Sequence, residues 1–107
     1  MRTFLEMVHI SLIISLIMPH ILARLKGVNV EDIKRVLEAD APQHAEQGLF
    51  LEHLWQNADD SEEIVFLFRI ENLVKAKEFI NKVHTGAIAK NSQANLPYMT
   101  FLEESQL

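Results

Sequence analysis

Cysteine is absent from this chain of 107 residues, and glycine and proline each occur only three times. Without cysteine, the chain can form neither a disulfide nor a thiolate nucleophile, and it offers no thiolate to a metal. Three glycines are too few for a glycine-rich phosphate loop, and no nucleophile-elbow motif occurs. Several large enzyme classes are therefore excluded. The lack of cysteine also fits a reducing compartment, so we expect a cytoplasmic protein.

Positive charge is also scarce, with 10 Lys and Arg against 15 Asp and Glu and a net charge of −5. No basic patch is visible, so we expect no nucleic-acid partner. Apolar residues make up 49% of the chain, which is enough for one small core. We interpret residues 1–107 as one domain, with 104–107 as a tail and with 1–6 as a loose leader if Met7 is the true start.

One long apolar run, residues 7–25, raises the question of a membrane segment. Polar residues and a proline interrupt it, and its unbroken part is shorter than the roughly 20 residues of a spanning helix. A signal peptide would need a basic start and a small-residue cleavage site, but Arg2 is offset by Glu6 and no A-x-A pattern follows. We favour a core strand here. The alternative is a membrane-associated protein held by residues 7–25.

The clearest pattern in the chain is Glu63–Ile70, which predicts a strand. One set of alternate side chains is wholly apolar, namely Ile64, Phe66, Phe68 and Ile70. Val65 and Leu67 make the opposite side apolar as well, which is typical of a central strand. Asn72 then predicts the N-cap of a helix whose buried stripe is Leu73, Ala76, Phe79, Ile80, Val83 and Ala87.

The remaining elements follow from spacing and turn residues. We predict a first strand at Val8–Ser15, then a short helix at His20–Lys26 that begins after Pro19 and stops at Gly27. A helix begins after Asn29 and is bent or restarted at Pro42, with Asp40 as a second cap. Strands follow at 49–56 and 98–103, with a turn at 57–61 and a loop at 90–97. The order is β-α-β-β-α-β. We therefore predict an α+β sandwich, with a four-stranded antiparallel sheet and both helices on one face.

The second face of this sheet would also carry apolar side chains, namely Ile13, Phe50, Leu54, Val65 and Leu67. That is too much apolar surface for a soluble monomer to expose. We therefore expect a homodimer in which two copies of the sheet pack face to face around a two-fold axis.

The element order, the chain length, the run Glu63–Ile70 and the following Asn72-Leu73-x-x-Ala76-x-x-Phe79 resemble the dimeric α+β-barrel superfamily. That superfamily includes proteins similar to antibiotic-biosynthesis monooxygenases. The resemblance covers most of residues 7–104 and implies a ferredoxin-like fold and a dimer. It also suggests a cofactor-free monooxygenase or isomerase. The haem-degrading branch uses an Asn, Trp and His set that does not map onto this chain, so the resemblance assigns no catalytic residue.

Four polar residues have the parity to lie together on the second face: His9, Ser11, Glu52 and Arg69. In one interpretation, Arg69 and Glu52 form a buried ion pair that sets the register of the dimer. In the other, they line a pocket inside the barrel. Arg69 would then hold an anionic or carbonyl oxygen, and His9 would act as acid or base, with Glu52 as the third catalytic candidate. Ser11, His53 and Trp55 are the ligand-binding candidates.

No pair of the five histidines has metal-ligand spacing, so we predict neither a metal site nor a cofactor. Two main function classes stay open. One is an enzyme acting on a small molecule inside the barrel. The other is a ligand-binding or structural dimer without catalytic activity.

Overall fold

The computed structural model describes residues 18–105. Within them lie β1 (His20–Lys26), α1 (Val30–Glu46), β2 (Leu49–Asn57), β3 (Asp60–Ile70), α2 (Leu73–Lys90) and β4 (Tyr98–Leu102). The strands form one sheet in the order β2-β3-β1-β4, and all neighbouring strands are antiparallel. The predicted α+β class and the β-α-β-β-α-β order are therefore confirmed.

The first strand among the described residues lies in a segment that the sequence predicted to be a helix. His20–Lys26 is strand β1, so the predicted short helix is wrong. Ile21, Ala23 and Leu25 alternate into the core, and that period of two defines a strand. Proline is tolerated at the start of a strand as well as in the first turn of a helix, so Pro19 did not distinguish them. The predicted strand at Val8–Ser15 lies outside the described residues.

Strand β3 forms the centre of the core, as its alternating pattern predicted. Ile64, Phe66, Phe68 and Ile70 are at most 5% exposed, and they pack with Ile21, Ala23 and Leu49. Burying side chains of this size stabilises the fold by about 1.5–3 kcal/mol each. Val65 and Leu67 lie on the opposite face of the sheet and are only partly buried.

Helix α1 begins where Asn29 Oδ1 accepts a hydrogen bond from the backbone N–H of Glu31 at 2.8 Å. It runs to Glu46 with Pro42 inside it, so the predicted restart at Asp40 does not occur. Pro42 is exposed, and water can satisfy the carbonyl that loses its helical partner. The chain then turns at Gly48, whose φ of +73° favours glycine.

Helix α2 begins as predicted, because Asn72 Oδ1 accepts a hydrogen bond from Lys75 N at 2.9 Å. Ala76 and Ile80 are buried against the sheet. Val83, which was predicted in the buried stripe, is 47% exposed, and its neighbour His84 is partly buried instead. Buried and partly buried residues of both helices join the single core on one face of the sheet.

Candidate functional sites on the two faces of the sheet

We call the sheet face turned away from the helices the open face. Its middle is apolar, and it includes Leu22, Val65, Leu67 and the exposed rings of Trp55 and Tyr98. Charged side chains lie toward both ends of the strands. Neither helix of the described chain covers this surface.

At one end of the open face, His20, Glu52 and Arg69 form a group that we call the His20 cluster. His20 Nε2 lies 2.7 Å from Glu52 Oε1, which is hydrogen-bonding distance. Arg69 Nε lies 3.7 Å from Glu52 Oε2, so Arg69 and Glu52 form the predicted ion pair, but the pair is not fully buried, in contrast to the prediction. The three side chains are 20–28% exposed. A carboxylate that contacts both an imidazole and a guanidinium can hold the two in a fixed orientation.

A bulge in β2 decides which side chains reach this face. The pairing of β2 with β3 shifts by one residue between Leu51 and His53. Glu52 therefore lies at an irregular position, and every later residue of β2 changes face. The predicted placement of Leu54 on the second face is wrong, because Leu54 pairs with Phe66 and packs on the helix-side core.

The same bulge brings His53 and Trp55 onto the open face, opposite Leu67 and Val65. Their rings stack with a centroid distance of 4.8 Å and an interplanar angle of 14°. Trp55 is 46% exposed in the single chain. The two candidate ligand-binding residues therefore lie on the same face as Glu52 and Arg69.

At the opposite end of the open face, Glu63 is the one charged residue that is buried among the described residues, at 4% exposure. Its Oε1 accepts hydrogen bonds from Asn57 Nδ2 at 2.9 Å and from Arg24 Nη1 at 3.2 Å. Lys26 Nζ lies 3.4 Å from Oε2. The hydrogen bond from Asn57, together with Lys26 and Arg24, holds the pKa of Glu63 below its usual range against the opposing effect of burial. Glu63 and its three partners therefore form a structural ion cluster, which was not predicted from the sequence.

Two of the predicted site residues, His9 and Ser11, lie outside the described residues. His20 occupies the position that the sequence analysis gave to His9, next to Arg69 on the neighbouring strand. His20 was missed because its segment was assigned to a helix. The alternation of Ile21, Ala23 and Leu25 was the signal that could have placed it correctly.

A cavity of about 190 Å³ lies on the other side of the sheet, between the strands and the two helices. Its lining is mostly apolar and includes Ile21, Leu37, Phe66 and Ile80. Val36 and Val83, which are 53% and 47% exposed, also line it on the helix side. We call it the helix-side cavity.

Three residues contribute the polar part of this cavity: Asp40 and His44 on α1, and His84 on α2. The His44 ring meets Phe68 edge to face, with a centroid distance of 5.2 Å. Burial lowers the pKa of both imidazoles below 6.5, and the negative charge of Asp40 partly opposes this for His44. The lowered pKa values favour the neutral form of both rings, in which each can donate one hydrogen bond and accept another.

This pair of histidines was not predicted, because the buried stripe of each helix was defined by apolar residues alone. The inward stripe of α1 runs Val30, Ile33, Leu37 and then continues through Asp40 and His44 at helical spacing. A histidine that extends an apolar stripe was the available signal.

Within residues 18–105, no group of three or more His, Asp or Glu residues has a geometry suited to a metal ion. No helix of the same residues is long and apolar enough to span a membrane. The later part of the apolar run 7–25 forms most of β1, a strand paired on both sides. Comparison with protein-family models, curated proteins and solved structures finds no match to this chain.

Proposed function

We propose that this chain binds a small, mostly apolar molecule in the helix-side cavity. The observation that supports the proposal is a mostly apolar cavity whose lining includes an imidazole from each helix and Asp40, with the pKa of both imidazoles lowered by burial. Ligand sites commonly combine an apolar lining with a few polar groups that orient the ligand. A cavity that served only as a packing defect would have no reason to carry an imidazole from each helix.

The volume of the cavity limits the size of the ligand. Apolar cavities of roughly 150 Å³ bind benzene. A cavity of about 190 Å³ therefore suits a single ring with one or two substituents. His44 and His84 favour a hydroxyl or carbonyl group on that ring, because each neutral imidazole can pair with it. A phenol is the simplest molecule with these properties.

The resemblance to the dimeric α+β-barrel superfamily adds a proposed activity, which is cofactor-free oxygenation or isomerisation of such a ligand. His44 is the acid–base candidate on this side of the sheet, because burial favours its neutral form and it lies in the field of Asp40. Binding without chemistry is the alternative. Oxygen uptake or spectral change on adding the ligand separates these two functions.

The binding proposal is tested by titrating the protein with phenol, toluene and cyclohexanol while its thermal melting is followed. We expect phenol to stabilise the fold most, and a ligand at 100 times its Kd stabilises by about 2.7 kcal/mol. Val83→Trp should fill the entrance and abolish the effect. Val74→Trp is the matched control, since Val74 is 66% exposed on the same helix and does not line the cavity.

Equal stabilisation of the wild type and Val83→Trp by phenol would reject the cavity as the binding site. Equal stabilisation by phenol and toluene would reject the role of the histidines. In that case, His84→Leu should also leave phenol binding unchanged.

We further propose that the protein is a homodimer joined through the open face, with the ferredoxin-like arrangement of the dimeric α+β barrel. This proposal is supported by the apolar middle of that face and by Trp55, Tyr98 and Leu102, which are 46%, 74% and 40% exposed. A face-to-face sheet pair would bury on the order of 1,200–2,000 Å². A dimer without any ligand chemistry is the alternative function that this face supports.

Trp55 is the only tryptophan in the chain, and it lies on the open face, so its fluorescence reports directly on the proposed interface. We expect its emission to shift to longer wavelength when the protein is diluted and the dimer dissociates. Emission that is constant across the whole range from millimolar to nanomolar protein, at the wavelength of a water-exposed indole, would contradict the dimer.

A further inference from the structure

We infer that the His20 cluster binds the carboxylate of a small organic acid whose remaining part is apolar. The inference depends on the hydrogen-bonding capacity that Arg69 and His20 keep after their contacts with Glu52. It concerns the open face, on the opposite side of the sheet from the helix-side cavity. The His20 cluster is therefore a second site, separate from the helix-side cavity.

Arg69 has N–H groups that no oxygen of the described residues accepts. Its Nε lies 3.7 Å from Glu52 Oε2, which is an ion-pair distance but too long for a hydrogen bond. Within residues 18–105, the hydrogen bond of its Nη1 goes to the sulfur of Met18, at 3.5 Å. A guanidinium presents five N–H groups in a planar fork, and a carboxylate is the group that fits this fork with two bonds.

The ring of Phe50 supports the guanidinium from one side, with Arg69 Cζ 4.8 Å from the ring centroid. A stacked guanidinium keeps its N–H groups directed outward from its edge. Arg69 is also only 28% exposed, so its charge is screened less than that of a surface arginine. The cluster therefore holds a positioned cation whose fork is not fully used.

His20 supplies a second polar contact. Its Nε2 is engaged by Glu52 at 2.7 Å, which fixes the orientation of the ring. The other ring nitrogen makes no hydrogen bond within residues 18–105. That nitrogen can donate to a carboxylate when the ring is an imidazolium, and it can accept from a protonated acid when the ring is neutral. Glu52 thus acts as a positioning residue for both partners.

The neighbouring positions of the open face determine the rest of the ligand. Leu22 and Leu67 pair with each other two residues along the strands from His20 and Arg69, on the same face. Leu102, on β4, pairs with His20 and is 40% exposed. A ligand held by its carboxylate at Arg69 would lay its body on these leucines. A short fatty acid or an aromatic carboxylate has this combination of one anionic end and an apolar body.

The site depends on the proposed dimer only for the exclusion of water, because its three polar groups belong to one chain. Face-to-face packing of two open faces would cover the leucines and the His20 cluster together. A chain with a net charge of −5 does not attract anions in general, so carboxylate binding here would have to be local.

The test uses benzoate as the probe and benzamide as its uncharged match, with binding followed by chemical-shift changes of the full-length protein. We expect benzoate to bind at least about tenfold more tightly than benzamide, as loss of a charge-assisted hydrogen bond predicts. Arg69→Met should weaken benzoate binding by at least about tenfold and leave benzamide unchanged. Arg24→Met is the matched control, because Arg24 lies on the same face and pairs with Glu63 at 3.2 Å. It should keep wild-type affinity for benzoate.

Arg69→Lys gives an independent comparison if Arg69→Met does not fold. Lysine keeps the charge but lacks the fork, so benzoate binding should again weaken. The inference is overturned if benzoate fails to bind the wild type, if benzamide binds equally well, or if Arg24→Met loses as much affinity as Arg69→Met.

Val83→Trp separates this site from the proposed phenol site. It should retain benzoate binding, and loss of benzoate in that variant would assign the probe to the helix-side cavity and reject the second site.

Discussion

The two faces of the sheet are built from alternate residues of the same strands, yet their chemistry differs. On β3, Phe66 is 5% exposed beneath the helices, whereas its neighbour Leu67 lies on the open face and is only partly buried. The strands of the covered face turn apolar side chains toward the helices, and the polar groups on this side, Asp40, His44 and His84, belong to the helices. The open face instead has an apolar middle between two charged clusters. Side chains on the covered face thus stabilise the single chain, while those on the open face are available to a partner or a ligand.

The largest expected difference between the faces is in folding stability. Phe66→Ala should lower the free energy of unfolding by about 3–5 kcal/mol, because it leaves a hole in the buried core. Leu67→Ala should cost less, and its cost should increase with protein concentration if the open face is a dimer interface. Urea unfolding of both variants at two protein concentrations measures this. Equal losses, independent of concentration, would mean that the two faces do not differ as described.

The helices that distinguish the covered face depend on their caps, and this effect should be smaller. Asn72→Ala removes the acceptor for Lys75 N and should cost about 1 kcal/mol. Asn81→Ala, at an exposed position in the interior of the same helix, is the control and should be neutral or slightly stabilising. Urea unfolding compares the two. An equal effect of both changes would remove the cap as the cause.

Acid should reduce the contributions of the two faces to folding stability in separate ranges of pH. On the covered face, the lowered pKa values of His44 and His84 mean that the unfolded chain takes up protons first. The stability that depends on these histidines should therefore be complete above pH 6.5. It should decline as the pH falls from 6.5 through the lowered pKa values of the folded state. At the open face, the pKa of Glu63 is lowered from 4.5, so its stabilisation is present above 4.5 and is lost as the pH falls through the folded value.

Two variants assign these pH ranges to the two faces. His84→Gln should reduce the decline that begins near 6.5, and Glu63→Gln should reduce the decline below 4.5. The measurement is the free energy of unfolding across the acid range for the wild type and each variant. A wild-type pH profile in both variants would show that neither group contributes.

Strand β3 and the caps could be predicted because their signals are local and unopposed. The alternation of Ile64, Phe66, Phe68 and Ile70 has one interpretation, and an asparagine before a helical pattern is a strong N-cap signal. Strand β1 could not be placed, because the apolar run at 8–15 was the stronger β-pattern and Pro19 is compatible with either element. The local pattern of His20–Lys26 is compatible with a strand or a helix, and its pairing with β3 identifies it as a strand.

The candidate sites were predicted only in part, for a similar reason. A charge in the most apolar strand needs a partner, and this requirement led from Arg69 to Glu52 correctly. The bulge at Glu52 has no signature in the hydropathy pattern, so Leu54 was assigned to the wrong face. His44 and His84 lie on separate helices, and their approach to one cavity depends on packing that the sequence does not display.

The most direct test of the difference between the two faces is the mass of the protein in solution. Sedimentation equilibrium of the wild type at micromolar concentration should give twice the chain mass of 12.3 kDa. Leu67→Lys places a charge in the middle of the open face and should give the mass of one chain, while Val74→Lys on the exposed side of α2 should remain a dimer. Far-ultraviolet circular dichroism should show that all three proteins are folded. A wild-type mass of 12.3 kDa throughout the micromolar range would contradict the account, because the open face would then not be a dimer interface.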